Sequence, residues 1–251
     1  MRRLLTIPIS HYCEKARWAL ERAGLPYREE RHVQGVHVFV ARRAGGRETV
    51  PVLLAEEGVF NESEDILRYA DRRLPETERL FPPGDSEVEE LCRWLDEGLG
   101  PDGRRLMYRH MLGVRGQMLR FNNQGVPRWE GRLLAAIWPV ATRLANRRLE
   151  LDGTTQDEDA ARVFAVFDRI AERLSDGRPR LCGERFTAAD LTFACLASAL
   201  VVPPEYGVPL PQPDELPEHI ARDVRGFREH PAGAYALELF RTERRSPAAQ
   251  T

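Results

Sequence analysis

Ser10-His11-Tyr12-Cys13-Glu14-Lys15-Ala16-Arg17 decides how this chain is read. It follows a short apolar run, Leu4-Leu5-Thr6-Ile7-Pro8-Ile9, and leads into a helical pattern with Ala16, Leu20 and Ala23 on one face. A strand that turns straight into a helix leaves the first N–H groups of that helix unpaired, facing whatever sits in the turn. Those donors and the positive end of the helix dipole favour an anion there, typically by roughly 0.3–1 kcal/mol. Ser10 and Cys13 are the polar, potentially reactive side chains at that turn, so the stretch is built to hold a thiolate or another small anion.

Working outward, Gly24 and Pro26 stop the first helix. Tyr27 to Val33 is expected as a second strand, at a sheet edge or with an exposed face because it carries Arg28, Glu29, Glu30 and Arg31. His37 to Ala44 is expected as a short helix. Val50-Pro51-Val52-Leu53-Leu54 reads as a strand with proline near its start, where the missing N–H does no harm. Glu56-Glu57 then turns it back into Gly58-Val59-Phe60, and a helix from about Glu62 to Leu74 ends at Pro75. The order is β-α-β-α-β-β-α over residues 1–78.

Residues 79–86 have the proline, glycine and polar composition of a linker. The remainder, 87–251, reads as all-helical. Ser86 and Glu89 have capping-box spacing ahead of Val88, Leu91, Leu95 and Leu99. Gly98, Gly100 and Pro101 interrupt before a run from Arg104 to Leu112, and Pro139 splits or kinks the pattern from Trp129 to Leu149. Val163 to Leu174 is a further helix. Thr187 and Asp190 form another capping-box pair, with Phe186 and Leu191 as its hydrophobic staple. Residues 113–128 read either as a cover over a pocket or as a surface loop, and the proline-rich 203–217 as an ordered surface excursion. Helices from Glu218 to Arg228 and from Pro231 to Arg244 finish the pattern.

The 251 residues are 42% apolar and 30% charged, as in an ordinary globular protein. The net charge of −2 gives no nucleic-acid or anionic-membrane footprint. Lys15 is the only lysine among 37 basic residues, which reads as a coding preference for arginine. No apolar run reaches the ~20 residues that span a bilayer, and the first residues do not make a signal peptide. Cys13, Cys92, Cys182 and Cys195 lie far apart with no metal-ligand spacing, so a cytoplasmic, reduced protein without metal is expected.

A small α/β unit followed by an all-helical one resembles the cytosolic glutathione transferases, whose first domain has the thioredoxin-like fold. Four places carry the resemblance: the Ser10–Arg17 stretch, Val50-Pro51-Val52-Leu53, Glu62-Ser63, and Phe186-Thr187-Ala188-Ala189-Asp190. The resemblance implies a cis Pro51 that turns the Val50 N–H and C=O toward the backbone of glutathione, which adds like a strand. It also implies that Ser63, at a helix N-terminus, takes the γ-glutamyl carboxylate, with Glu62 near the amino group. The basic side chain the family often places directly before Val-Pro is Thr49 here. Arg47 lies two residues further back, and which of Arg47, Arg42, Arg43 and His37 meets the glycyl carboxylate stays open.

Under that resemblance Ser10 donates a hydrogen bond to the glutathione sulfur. A hydrogen bond to a charged group contributes roughly 1.5–3 kcal/mol. With the helix terminus added, a thiol near ~8.5 drops by roughly one to three units, enough for a nucleophile at neutral pH. The alternative for Ser10 is a plain helix cap, and for Glu62-Ser63 a plain helix start. Cys13 is either an acidic, reactive thiol beside Lys15 and Arg17 or a small packed group. The resemblance places an apolar pocket for a small electrophile between the domains, with Met107, Tyr108 and Met111 on one side and Tyr12 on the other; the same residues also fit plain core. Three functions stay open: conjugation of the glutathione thiolate to apolar electrophiles, a non-catalytic binding or interaction protein of the same fold, and thiol reduction through Cys13. A homodimer is implied by the resemblance, across the third helix and the first helix of the second domain.

Overall fold

The computed structural model describes residues 1–244. The last residues of the expected helical part, 245–251, lie outside the described residues. Strand β1 (Arg2–Thr6) is central in a four-stranded sheet ordered β2-β1-β3-β4. It pairs in parallel with β2 (Tyr27–Arg31) and antiparallel with β3 (Val52–Ala55), which turns back into β4 (Gly58–Phe60). A parallel neighbour needs a crossover, and α1 (His11–Arg22) supplies it. Helices α2 (Val36–Arg43) and α3 (Ser63–Asp71) complete this half.

The register decides where the site lies. Leu5 stands opposite Val52 and Leu53 opposite Phe60. The end of β1, the start of β3 and the end of β4 therefore meet at one end of the sheet. That end gathers the N-terminus of α1, the Val50–Pro51 pair and the N-terminus of α3. The parallel β2 delivers His32 to Gln34 to the same end, where the His32 N–H donates to the Thr6 carbonyl at 2.9 Å.

The second half holds α4 (Ser86–Glu97), α5 (Leu99–Leu112), α6 (Arg115–Asn122), α7 (Arg128–Ala136), α8 (Trp138–Arg148), α9 (Gln156–Leu174), α10 (Ala188–Val201), α11 (Glu218–Glu229) and α12 (Pro231–Glu243). The central α10 is rich in alanine and almost wholly buried, which lets α1, α4, α5 and α12 all pack on it. One apolar cluster runs through both halves, from Leu4, Leu53 and Ile66 to Leu95, Phe193 and Leu196. Trp18 of α1 sits at the joint, 4.9 Å from the Phe240 ring and 5.9 Å from Phe186.

The capping box of α10 forms as expected: the Thr187 N–H and hydroxyl donate to Asp190 at 2.8 and 2.9 Å. Its other oxygen accepts from the Leu181 N–H at 2.8 Å and from the Tyr235 hydroxyl. Several boundaries differ from the sequence expectations. Helix α3 stops at Asp71, whose carboxylate accepts instead from the Leu80 and Phe81 N–H groups. Asp85 rather than Ser86 caps α4, accepting from the Val88 N–H at 3.4 Å. Gly100 and Pro101 do not break α5 but fall in its first turn, where proline lacks only an N–H that would be unpaired anyway. The split before Pro139 occurs at Ile137, between α7 and α8. Residues 203–217 are not a mere surface excursion: Tyr206 and Val208 are buried, and Pro213–Glu215 makes a 3-10 turn.

Candidate active site

After β1 the chain makes a tight turn, with the Ser10 N–H donating to the Ile7 carbonyl at 3.2 Å. Ser10 takes extended backbone angles and caps α1, its Oγ accepting from the Cys13 N–H at 3.4 Å. The serine is half-buried, and its hydroxyl also lies within hydrogen-bonding reach of the Cys13 thiol. The cap is therefore formed, and a sulfur bound at this turn would compete with the Cys13 thiol for the Ser10 proton.

The turn is held from behind by Arg17. Its guanidinium donates to the Pro8 carbonyl at 2.9 Å and the Ile7 carbonyl at 3.4 Å. It also pairs with Glu14 at 3.1 Å and Glu29 at 2.7 Å. Glu14 is in turn held by Arg244 at 2.8 Å and by the Gly207 N–H at 3.2 Å. Arg244 reaches Glu21 as well. Charges this deep survive only when paired and hydrogen-bonded, and every one of these carboxylates is. Lys15, fully buried, donates to Asp96 of α4 at 2.7 Å with Glu64 of α3 at 4.0 Å, which ties α1 to both neighbours.

Cys13 is fully buried, and burial pushes its thiol up to about 11, only partly offset by Arg17 and the hydrogen bond from Ser10. A thiol so placed is protonated and out of contact with solvent. Its expected neighbours Lys15 and Arg17 spend their charge on carboxylates instead. Burial and the nearby Arg104 lower His11 to about 3, so its imidazole is neutral.

The Val50–Pro51 peptide is cis, and Val50 stands ahead of the paired register, which begins at Val52. Glu62 is the extended residue before α3, and Ser63 is its first residue, 6% exposed. Burial raises the Glu62 carboxyl, opposed by Arg47 at 3.5 Å. Arg47 itself is held by its N–H, which donates to Asn61 at 2.8 Å. Ser10, Val50, Pro51, Glu62, Ser63 and Arg47 therefore lie at one end of the sheet.

An apolar cavity of about 50 Å³ opens beside that turn, lined by Ile9, Met107, Met111, Met118, Phe121 and Tyr206 among others. Of the residues the sequence reading named for a pocket, Met107 and Met111 line this cavity. Tyr108 and Tyr12 do not line it: the Tyr108 hydroxyl accepts from Gln34 at 3.4 Å, and the Tyr12 hydroxyl packs against Gly100, where an added Cβ would collide with it. Residues 113–128 fold into α6, whose Met118 and Phe121 close one side of the cavity. The residues missed from sequence are those that join the halves here. Glu130 of α7 accepts from the Val33 N–H at 3.0 Å and meets His32 Nδ1 at 2.9 Å, and Gln34 donates to Asn122 at 2.7 Å. The only available signal was a glutamate on the inward face of an amphipathic helix. Among the described residues no cluster of ligating side chains could hold a metal ion.

The model of the glutathione S-transferase N-terminal domain matches residues 4–78, and that of the C-terminal domain matches 153–222. Together these ranges cover more than half of the chain. No curated protein matches it in sequence. Among solved structures, a glutathione S-transferase from Xanthobacter autotrophicus is similar at 20% identity, over 96% of this chain and 93% of that one, with a TM-score of 0.60. A glutathione transferase from Phanerochaete chrysosporium is similar at 19% identity, over 96% of each chain, with a TM-score of 0.62. A glutathione S-transferase of Ceriporiopsis subvermispora in complex with glutathione is similar at 17% identity, over 99% of each chain, with a TM-score of 0.62. At such identities these likenesses speak for the fold, and the two domain matches carry the assignment. The chain belongs to the glutathione S-transferase family.

Proposed function

We propose that this protein binds glutathione at the sheet end described above and transfers its sulfur to small apolar electrophiles. The observation that carries the reading is Ser10: a half-buried hydroxyl at the N-terminus of α1, beside a cis Val50–Pro51 and the N-terminus of α3. The backbone of Val50 pairs with the cysteinyl unit. Ser63 and the first N–H groups of α3 take the γ-glutamyl carboxylate, Glu62 its amino group, and Arg47 the glycyl carboxylate. Ser10 donates to the sulfur and so favours the thiolate, the thiol proton passing to solvent water. The thiolate then attacks the electrophilic carbon, one C–S bond forms, and the leaving group departs with the electron pair.

In this reading the glutathione-binding part is 1–78, joined through 79–86 to the helical part from 87 onward. A homodimer across α3 and α4 and a cytoplasmic location belong to the same proposal. Calorimetric titration with reduced glutathione and with an S-alkylated analogue tests the binding step. Ser10→Ala tests the chemistry. Loss of a charge-assisted hydrogen bond of roughly 1.5–3 kcal/mol lowers turnover about 10- to 100-fold, while glutathione affinity changes little. Unchanged turnover would sink the role of Ser10.

One observation favours a second reading, a non-catalytic binding protein. A cavity of about 50 Å³ lies far below the roughly 300–1,000 Å³ of ordinary ligand pockets. Three methionines line it, and their flexible thioethers can yield to an entering molecule. Glutathione binding without conjugation of any small electrophile would decide for the second reading.

A further inference from the structure

Helices α7 and α8 carry most of the exposed bulky apolar surface of the protein. Of the nine large hydrophobic side chains that stand out among the described residues, five are here: Trp129, Leu133, Ile137, Val140 and Leu144. Trp129 is 59% and Val140 62% exposed. Trp129 and Leu133 lie one turn apart on one face of α7, Val140 and Leu144 one turn apart on one face of α8, and the exposed Ile137 stands at the break between them. Helix α8 buries no residue at all, although its apolar content would allow it to. An apolar stripe left open on a folded chain marks an interaction surface.

The charge around the stripe says what covers it. Residues 131–149 contain four arginines and no acidic residue, in a chain whose net charge is −2. Arg128, Arg132, Arg143 and Arg147 are exposed, and none of the four is ion-paired among the described residues. Arg148 is 4.0 Å from Glu48. A second copy seated on this stripe about a two-fold axis would bring these arginines face to face, which opposes self-association. Tryptophan and aliphatic side chains on one face, flanked by unpaired arginines, match a helix that lies in the plane of an anionic lipid surface. Among the described residues no helix is long and apolar enough to cross a membrane, and a peripheral mode needs none.

We propose that α7 and α8 form a docking face for an anionic lipid membrane. The apolar stripe enters the boundary between headgroups and acyl chains, and the arginines meet lipid phosphates. The whole-chain charge had pointed away from membranes because acidic residues elsewhere cancel this local excess. Glu130 pins α7 to the loop that follows β2, so the docked face would stand next to the sheet end that carries Ser10. An apolar electrophile dissolved in lipid would then be delivered close to its pocket; that last clause rests on the transferase reading, whereas membrane docking does not.

The test is co-sedimentation of the full chain with vesicles of phosphatidylcholine mixed with phosphatidylglycerol, and with phosphatidylcholine alone. Binding is expected to the anionic vesicles, weakening as salt rises. Arg143→Ala and Arg147→Ala each lower the partition coefficient about fivefold, and together about 30-fold. Val140→Asp with Leu144→Asp abolishes binding while the unfolding midpoint stays in place, because neither side chain is buried. The proposal is overturned if anionic vesicles leave the protein in the supernatant at low salt, or if the aspartate variant binds like the parent. It is overturned equally if light scattering shows a dimer that the same aspartates disperse, which would give the stripe to a second copy. Glutathione titration of the same variants separates this outcome from any failure of the transferase reading.

Discussion

Arg17→Ala removes the group on which the Ser10 turn rests. In the structure its guanidinium holds two backbone carbonyls, Ile7 and Pro8, and two buried carboxylates, Glu14 and Glu29. Neither carboxylate is left entirely alone: Glu14 keeps Arg244 and the Gly207 N–H, and Glu29 keeps Arg31 and the Thr6 hydroxyl. The Pro8 carbonyl, however, loses its donor in a place water does not reach, at about 1–3 kcal/mol. Breaking a buried ion pair by removal of one partner typically costs 3–5 kcal/mol. With the surviving partners in place, a total of about 3–5 kcal/mol is expected. Urea unfolding at neutral pH measures it. Arg17→Lys should recover only a small part, since one ammonium cannot serve carbonyls and carboxylates on three sides. Glutathione affinity should fall together with stability, because the turn that carries Ser10 is no longer anchored. A loss under about 1 kcal/mol would refute the reasoning, since it would mean that the network contributes no more than a surface pair.

Burial alone would raise the Glu29 carboxyl, but Arg17, Arg31 and the Thr6 hydroxyl outweigh it and hold the group down at about 2. A folded value below the unfolded one means stability that is present above about pH 4.5 and lost as pH falls toward 2. The gap is worth about 3 kcal/mol. The stability difference between the parent and Glu29→Gln should therefore shrink on acidification, and a difference independent of pH would contradict the assignment. Cys13→Ala should leave turnover within about twofold, since a buried thiol near 11 is not a nucleophile at neutral pH; abolished activity would restore the reductase reading. Gly233→Ala should be poorly tolerated, because its Cβ would overlap the Phe227 carbonyl, a backbone atom that cannot rotate away. Overpacking of about 1–3 kcal/mol or more is expected, seen as a Tm lowered by about 2–4 °C per kcal/mol.

What was legible in advance had a local cause. The start of α1 at Ser10, the strand after Pro51, the hairpin at Glu56-Glu57 and the box of Thr187 with Asp190 all depend on partners within a few residues. Ser10, Glu62 and Ser63 could be placed at helix starts for the same reason. Tyr12 and Tyr108 were harder. An aromatic at helical spacing fits core and pocket alike, and which way each hydroxyl turned depended on Gly100 and Gln34, both distant in sequence. The cover over the cavity was likewise open until Met118 and Phe121 were seen to face Met107 and Met111.

The sequence by itself determined the order of elements, the division into a mixed first half and a helical second half, and the turn on which the site is built. These follow from periodicity, caps and proline, which act over a few residues. Only the tertiary structure decided the fate of the charges. Arg17, Lys15 and Glu14 fall outside the apolar positions Ala16, Leu20 and Ala23, yet they are buried, because Glu29, Asp96 and Arg244 meet them from elsewhere in the chain. The arginines beside Val140 and Leu144 found no such partner and stayed outside. A charge goes inside only where a partner of opposite sign is brought to it, and that depends on packing between distant segments rather than on the residue and its neighbours.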